Sequence, residues 1–191
     1  WCCGPNSLLG QNRPAAEGCL THRVTIEEDA TKESCVKWVL GIFDETDVPV
    51  HLFASIPCTG GSKWQNIDRR KPGGEARVAY HVRVFKRIWK NFEIIAEAVA
   101  KKGGVITIEW PTGCAYWTDE RVTRFIKKYS LLLANFHGCA FGLRSARKSK
   151  TGCFIKKPWT FATNMKQLHD RFASDASRCP GESESHVHVA C

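Results

Sequence analysis

The sequence has no CxxC pair among its ten cysteines, no apolar run near the roughly 20 residues of a membrane span, and no charged-then-apolar leader. It has no internal repeat, no low-complexity tract and no initiator methionine. The cysteine spacing therefore points away from a dithiol motif. Several cysteines fall inside expected strands and helices, as reduced thiols of the nucleus or cytoplasm do. The missing span predicts no membrane partner, and the start at Trp1 is expected to be a cut within something larger. Acidic residues are also scarce. Against 19 Asp+Glu stand 28 Lys+Arg, a net charge of +9 with a pI near 9.1, which predicts a polyanionic partner such as nucleic acid.

What is present centres on VHLFASIPCTGGSKWQ, Val50 to Gln65. Val50, Leu52 and Phe53 lead a β-prone run ending at Ser55. Pro57, Gly60 and Gly61 then make a turn that places Cys58 at a strand tip. Glycines just past a thiol let backbone approach a ligand closely.

The other elements follow in order. Gly4, Pro5, Asn6 and Ser7 form a turn that opens a helix, a setting for an anionic or polar ligand, without the full GxGxxG pattern. His22 to Glu27 alternates like a strand and ends in Glu27, Glu28 and Asp29, placed to accept hydrogen bonds from ribose hydroxyls. Thr31 is expected to cap a helix running through Phe43. Ile67 to Glu75 reads as a basic, mobile loop in which Arg69, Arg70 and Lys71 face phosphates. Ala76 to Lys102 carries apolar residues in steps of three or four and stops at Gly103 and Gly104. Val105 to Ile108 is a buried strand leading into Glu109. A helix over Asp119–Tyr129, a strand over 130–134, a basic loop to residue 151 and a last strand over 157–163 complete the pattern.

Alternating strands and helices predict an α/β fold with a mostly parallel, doubly wound, Rossmann-like sheet and helices on both faces. Residues 1–163 form this domain, and 164–191 add a helix and a tail. In the tail, Cys179, His186, His188 and Cys191 carry the donor types of a tetrahedral zinc site. The two histidines share a side if that piece is extended.

The order of these motifs resembles the cytosine C5 DNA methyltransferase family. SIPCTGGS is similar to its proline-cysteine loop through Pro57, Cys58 and Ser62, lacking the usual glutamine after the cysteine. TIEWP resembles its strand-end glutamate at Glu109, with Trp110 and Pro111 in place of asparagine and valine. IEEDA resembles its ribose site at Glu27 and Asp29. CCGPNSLLG is similar to its first cofactor loop, covering Cys3, Gly4, Pro5, Asn6 and Ser7. ANFHGCAFGLRSAR resembles the segment ending in an arginine near the target base, here Arg147. The resemblance spans roughly Cys2 to Thr163.

It implies an S-adenosylmethionine-dependent methyltransferase-like sheet and an enzyme in which Cys58 adds to C6 of cytosine. Glu109 then hydrogen-bonds the base, and Arg147 orients it. Ser62, Arg69, Arg70, Lys71, Arg144 and Lys148 are the expected nucleic-acid contacts, with Trp64 stacking on a base. The resemblance favours DNA over RNA as the target, and the residues themselves leave both open. The chain after Thr163 is too short for a recognition domain, so a larger polypeptide or partner chain is expected to supply one. The alternative is a degenerate methyltransferase-like module that binds nucleic acid or serves as a structural component of a larger assembly.

Overall fold

The structure, a computed structural model, describes residues 1–3 and 18–189. It is an α/β protein whose strands form a mixed four-stranded sheet in the order β1-β2-β4-β3. Two compact units divide the chain, Trp1–Ile108 and Glu109–Cys191. No helix among the described residues is long and apolar enough to cross a membrane.

In the first unit, α1 (Glu33–Asp44) buries Cys35, Val36 and Val39 on one face. Strand β1 (His51–Ala54) leads to a one-turn helix, α2 (Gln65–Asp68), and then to α3 (Gly74–Lys101). The 28 residues of α3 extend about 42 Å. They bury Val78, Phe85, Ile88, Trp89, Phe92, Ile95, Ala96 and Val99, the face expected from their spacing. The stop falls at the expected glycines. Gly103 takes φ +69°, and the amides of Gly103 and Gly104 return to Ala100 O and Val99 O at 3.0 and 2.9 Å. This is a Schellman closure, in which the left-handed residue frees the chain to turn. The chain then enters β2 (Val105–Pro111), which pairs in parallel with β1 from His51↔Val105 to Ala54↔Ile108. A long helix between adjacent parallel strands is the connection such pairing needs.

In the second unit, Asp119 caps α4 (Glu120–Lys128), its carboxylate accepting Arg121 N at 3.0 Å. Strands β3 (Leu132–His137) and β4 (Pro158–Thr163) pair antiparallel from Leu132↔Thr163 to His137↔Pro158. Helix α5 (Lys166–Ala173) sets Phe172 within 4.7 Å of Phe136 and Phe161 and 4.9 Å of Phe141, ring centre to ring centre.

Four expectations are corrected. The sheet is mixed rather than mostly parallel, because the segment from 138 to 157 that joins β3 to β4 holds only 3-10 turns. A parallel return usually runs through an α-helix across a face of the sheet, and among the described residues none lies between these two strands. His22 to Glu27 is not a strand: the Glu28 carboxylate accepts both the amide and the hydroxyl of Thr25 at 2.6 Å and closes a turn there. The expected loop after Ile67 is compact. Gly73 takes φ +68°, and a Cβ on Gly74 would lie 1.8 Å from Asp68 O, so α2 sits directly on the first turn of α3. The strand expected at 130–134 begins at Leu132, since Ser130 (φ +50°) and Leu131 are used to close α4.

Candidate metal centre and cysteine turn

Cys58 follows β1 in a turn completed by the 3-10 segment Thr59–Gly61, and its side chain is half-buried. Its carbonyl accepts the Gly61 amide at 2.9 Å. Gln65, itself buried, donates its side-chain amide to Thr59 O, and the Ser62 hydroxyl accepts Trp64 N at 3.3 Å. The turn is thus fixed by side chains from α2 and its approach. Pro57 is exposed. Two other thiols of this unit are unsuited to chemistry. Burial pushes Cys2 up to about 12, and burial next to Glu28 and Asp29 raises Cys35, so both stay protonated at neutral pH.

Trp64 is 68% exposed, and Lys63, Arg69, Arg70 and Lys71 of the same stretch are exposed as well. Lys71 reaches back to Asp68 at 2.7 Å. The segment directly after Cys58 thus carries an exposed indole and four exposed cations along nine residues, 63–71.

The acids expected at the ribose site have other partners. Asp29, at φ +44°, accepts Thr31 Oγ1 at 2.6 Å and Thr31 N at 3.1 Å, and these bonds hold its carboxyl below the usual range. Thr31 therefore serves this turn rather than capping α1. Glu28 is committed to Thr25, leaving Glu27 as the exposed carboxylate of the three. Cys3 is half-buried, with its amide on Val24 O at 3.1 Å. Gly4, Pro5, Asn6 and Ser7 lie outside the described residues.

In the second unit Glu109 lies within β2, half-buried. Arg147 is exposed, its amide on Ser145 Oγ at 3.2 Å. Lys148 begins a 3-10 turn, Lys148–Lys150. Arg144, expected on phosphate, instead lies 3.9 Å over the Phe154 ring and donates to Gly152 O. Phe154 stacks in turn on His186, with ring centres 4.1 Å apart and planes at 25°.

That stack leads into a cluster. Cys139, Cys179, His186 and His188 bring one donor atom each to within 4.8 Å of one another. Cys139 is buried in the 3-10 turn Gly138–Phe141 that follows β3. Burial, and next the Cys179 thiol beside it, raise its pKa. Cys179 is placed by its amide, which donates to His137 Nδ1 at 2.8 Å. A tight turn pairs Ser183 with His186, and the chain then runs extended beside Phe154, with Phe154 N on Val187 O and Val189 N on Phe154 O, both at 2.9 Å. Alternation along this piece puts both histidines on the Cys179 side: His188 Nε2 lies 3.4 Å and His186 Nε2 3.9 Å from Cys179 Sγ. Three of the four tail residues expected from the sequence meet here. The fourth, Cys191, lies outside the described residues, and Cys139, forty positions upstream of Cys179, was missed. No motif links them; only the buried turn after β3 does.

Fold and cluster together define a small α/β protein with a mixed four-stranded sheet and a Cys2His2 side-chain group. Compared with known proteins, the chain matches no family model, no curated protein and no solved structure.

Proposed function

We propose that this protein acts on nucleic acid through the Cys58 turn and the segment after it. The observation that carries the reading is Trp64, 68% exposed among Lys63, Arg69, Arg70 and Lys71. Leu20 and Ile26 are more exposed still, so what sets Trp64 apart is the basic stretch that carries it. Set among cations that neutralise phosphates, the same indole gives an unpaired base a face to stack on. The net charge of +9 supports the same partner. Trp64→Ala is expected to weaken binding of a single-stranded oligonucleotide by about 5- to 150-fold, the equivalent of one base stack at about 1–3 kcal/mol. Arg69→Gln with Arg70→Gln is expected to flatten the salt dependence. Fluorescence anisotropy across a salt series measures both, and equal affinity of the wild type and Trp64→Ala would sink the reading.

The finer reading is cytosine C5 methylation, favoured by a half-buried cysteine held in a fixed turn after the first strand of a parallel β1–α3–β2 unit. Here the Cys58 sulfur bonds to C6 and the C5–C6 electron pair moves into the ring, making C5 the nucleophile. Loss of the C5 proton later expels the sulfur. Glu109 is the residue the resemblance assigns to hydrogen-bond the base, and Glu27 the ribose hydroxyls. S-adenosylmethionine supplies the methyl group when bound. A 5-fluorocytosine oligonucleotide keeps the adduct from resolving, so a mass increase in the wild type and none in Cys58→Ser tests the step. Binding without any adduct would favour the degenerate module, a reading that the engaged carboxylates of Glu28 and Asp29 support.

A further inference from the structure

We propose that Cys139, Cys179, His186 and His188 form a structural zinc site that ties the C-terminal segment to the end of β3. The donor set is the first argument. Two thiolates and two imidazoles select zinc over calcium or magnesium, which take oxygen. Most iron–sulfur clusters take four thiolates, and the Rieske type spreads two cysteines and two histidines over two irons, whereas here all four donors lie within 4.8 Å, as a single ion needs.

Distance is the second. With Zn–S near 2.3 Å and Zn–N near 2.0–2.1 Å, a regular tetrahedron has S···N edges of about 3.6 Å and an S···S edge of about 3.8 Å. Cys179 Sγ lies 3.4 and 3.9 Å from its two imidazole nitrogens, and all four donors fit within 4.8 Å. Closing the cluster onto an ion therefore takes shifts of an ångström or less.

The surroundings are the third, and they are those a metal ligand needs. His188 presents Nε2 to the cluster and holds Nδ1 3.3 Å from Glu182 Oε1. A proton on Nδ1 then donates to that carboxylate and leaves the Nε2 lone pair for the ion. The Gly181 amide points at Cys179 Sγ from 3.4 Å, a donor suited to a thiolate. The His186 ring is fixed by its stack on Phe154, itself covered by Arg144. Two thiolates and a dication sum to zero charge, which suits a site whose Cys139 is only 3% exposed. Four protein ligands close the coordination sphere, so the site is structural and independent of any chemistry at Cys58.

The test uses the full chain purified under reducing conditions. Elemental mass spectrometry is expected to find one zinc per chain. Cobalt exchange is expected to give the intense visible bands of tetrahedral coordination with a thiolate charge-transfer band. Cys139→Ser and His188→Ala should lose the zinc, Cys191→Ser should keep it, and Glu182→Gln should keep it with about 10- to 100-fold lower affinity. A zinc-free wild type carrying a Cys139–Cys179 disulfide would overturn the proposal, as would an octahedral cobalt spectrum. Zinc retained by Cys139→Ser and lost by Cys191→Ser would overturn it too. The cobalt spectrum is read on the wild type and so decides even if Cys139→Ser does not fold.

Discussion

Removing zinc should disorder one segment and spare the rest of the second unit. Fixing the 11 residues from 179 to 189 costs about 11–22 kcal/mol of backbone entropy. Against this the protein offers little. Three hydrogen bonds tie the segment to the rest of the unit: the main-chain pairs Phe154 N to Val187 O and Val189 N to Phe154 O, and Cys179 N to the His137 side chain at Nδ1. At about 1 kcal/mol each they supply about 3 kcal/mol, and the Phe154–His186 stack adds about 1 kcal/mol. A structural zinc site contributes about 10–16 kcal/mol, the same size as the shortfall. The perturbation is a strong chelator, and the assay is hydrogen exchange read by mass spectrometry on the intact chain. Chelation is expected to bring the amides of Phe154, Cys179 and Val189 to near-unprotected exchange. The β3–β4 amides, held by six paired positions and the Phe136, Phe161 and Phe172 rings, should keep their protection. If residues 179–189 exchange equally slowly with and without chelator, the reasoning fails.

Trp89→Ala empties the centre of α3's buried face, where the indole is fully covered between Phe85 and Phe92. The expected loss is about 3–5 kcal/mol, read as a lowered urea midpoint. Ser130→Gly relieves a left-handed residue at the end of α4 and should stabilise by up to about 1 kcal/mol in the same assay. Glu28 gives a pH dependence. Hydrogen bonds from the Thr25 hydroxyl and amide lower its folded pKa, so acid protonates the unfolded chain first. Its contribution is present above the unfolded pKa of about 4.3 and fades as pH falls through the folded value. Stability of the wild type should therefore drop more steeply than that of Glu28→Gln between about pH 5 and pH 3, as urea titrations at each pH would show.

What the sequence made legible was local. The stop at Gly103 and Gly104 needs only a left-handed glycine after an amphipathic run. The pairing of His186 with His188 on one side needs only a two-residue period, and both are written in neighbouring residues. The misreadings arose where a local pattern lacked its partner. HRVTIE alternates as a strand does, but alternation supplies no neighbour to pair with, and Glu28 closes a turn on Thr25 instead. Asp29 has the chemistry of a ribose acceptor, yet Thr31, two residues on, claims the carboxylate first. Arg144 likewise reads as a phosphate contact until the chain folds Phe154 beneath it.

Cys139 shows the same limit from the other side. In HGCAFG it is a small buried residue after a strand, and its one near neighbour of ligand type, His137, turns its Nδ1 to the Cys179 amide instead. Its partners arrive because β4 and α5 return the chain to the end of β3, where His137 holds the Cys179 amide at 2.8 Å. The Ser183–His186 turn then swings two imidazoles onto the same point. A metal site assembled from a strand end and a distant tail depends on the tertiary path, and under the zinc proposal that path in turn needs the metal to hold residues 179–189. The path of the tail and its ligand set therefore stand or fall together, while the sheet does not depend on them. That is why Cys139→Ser, a single atom exchanged in a buried turn, should release a segment forty residues away.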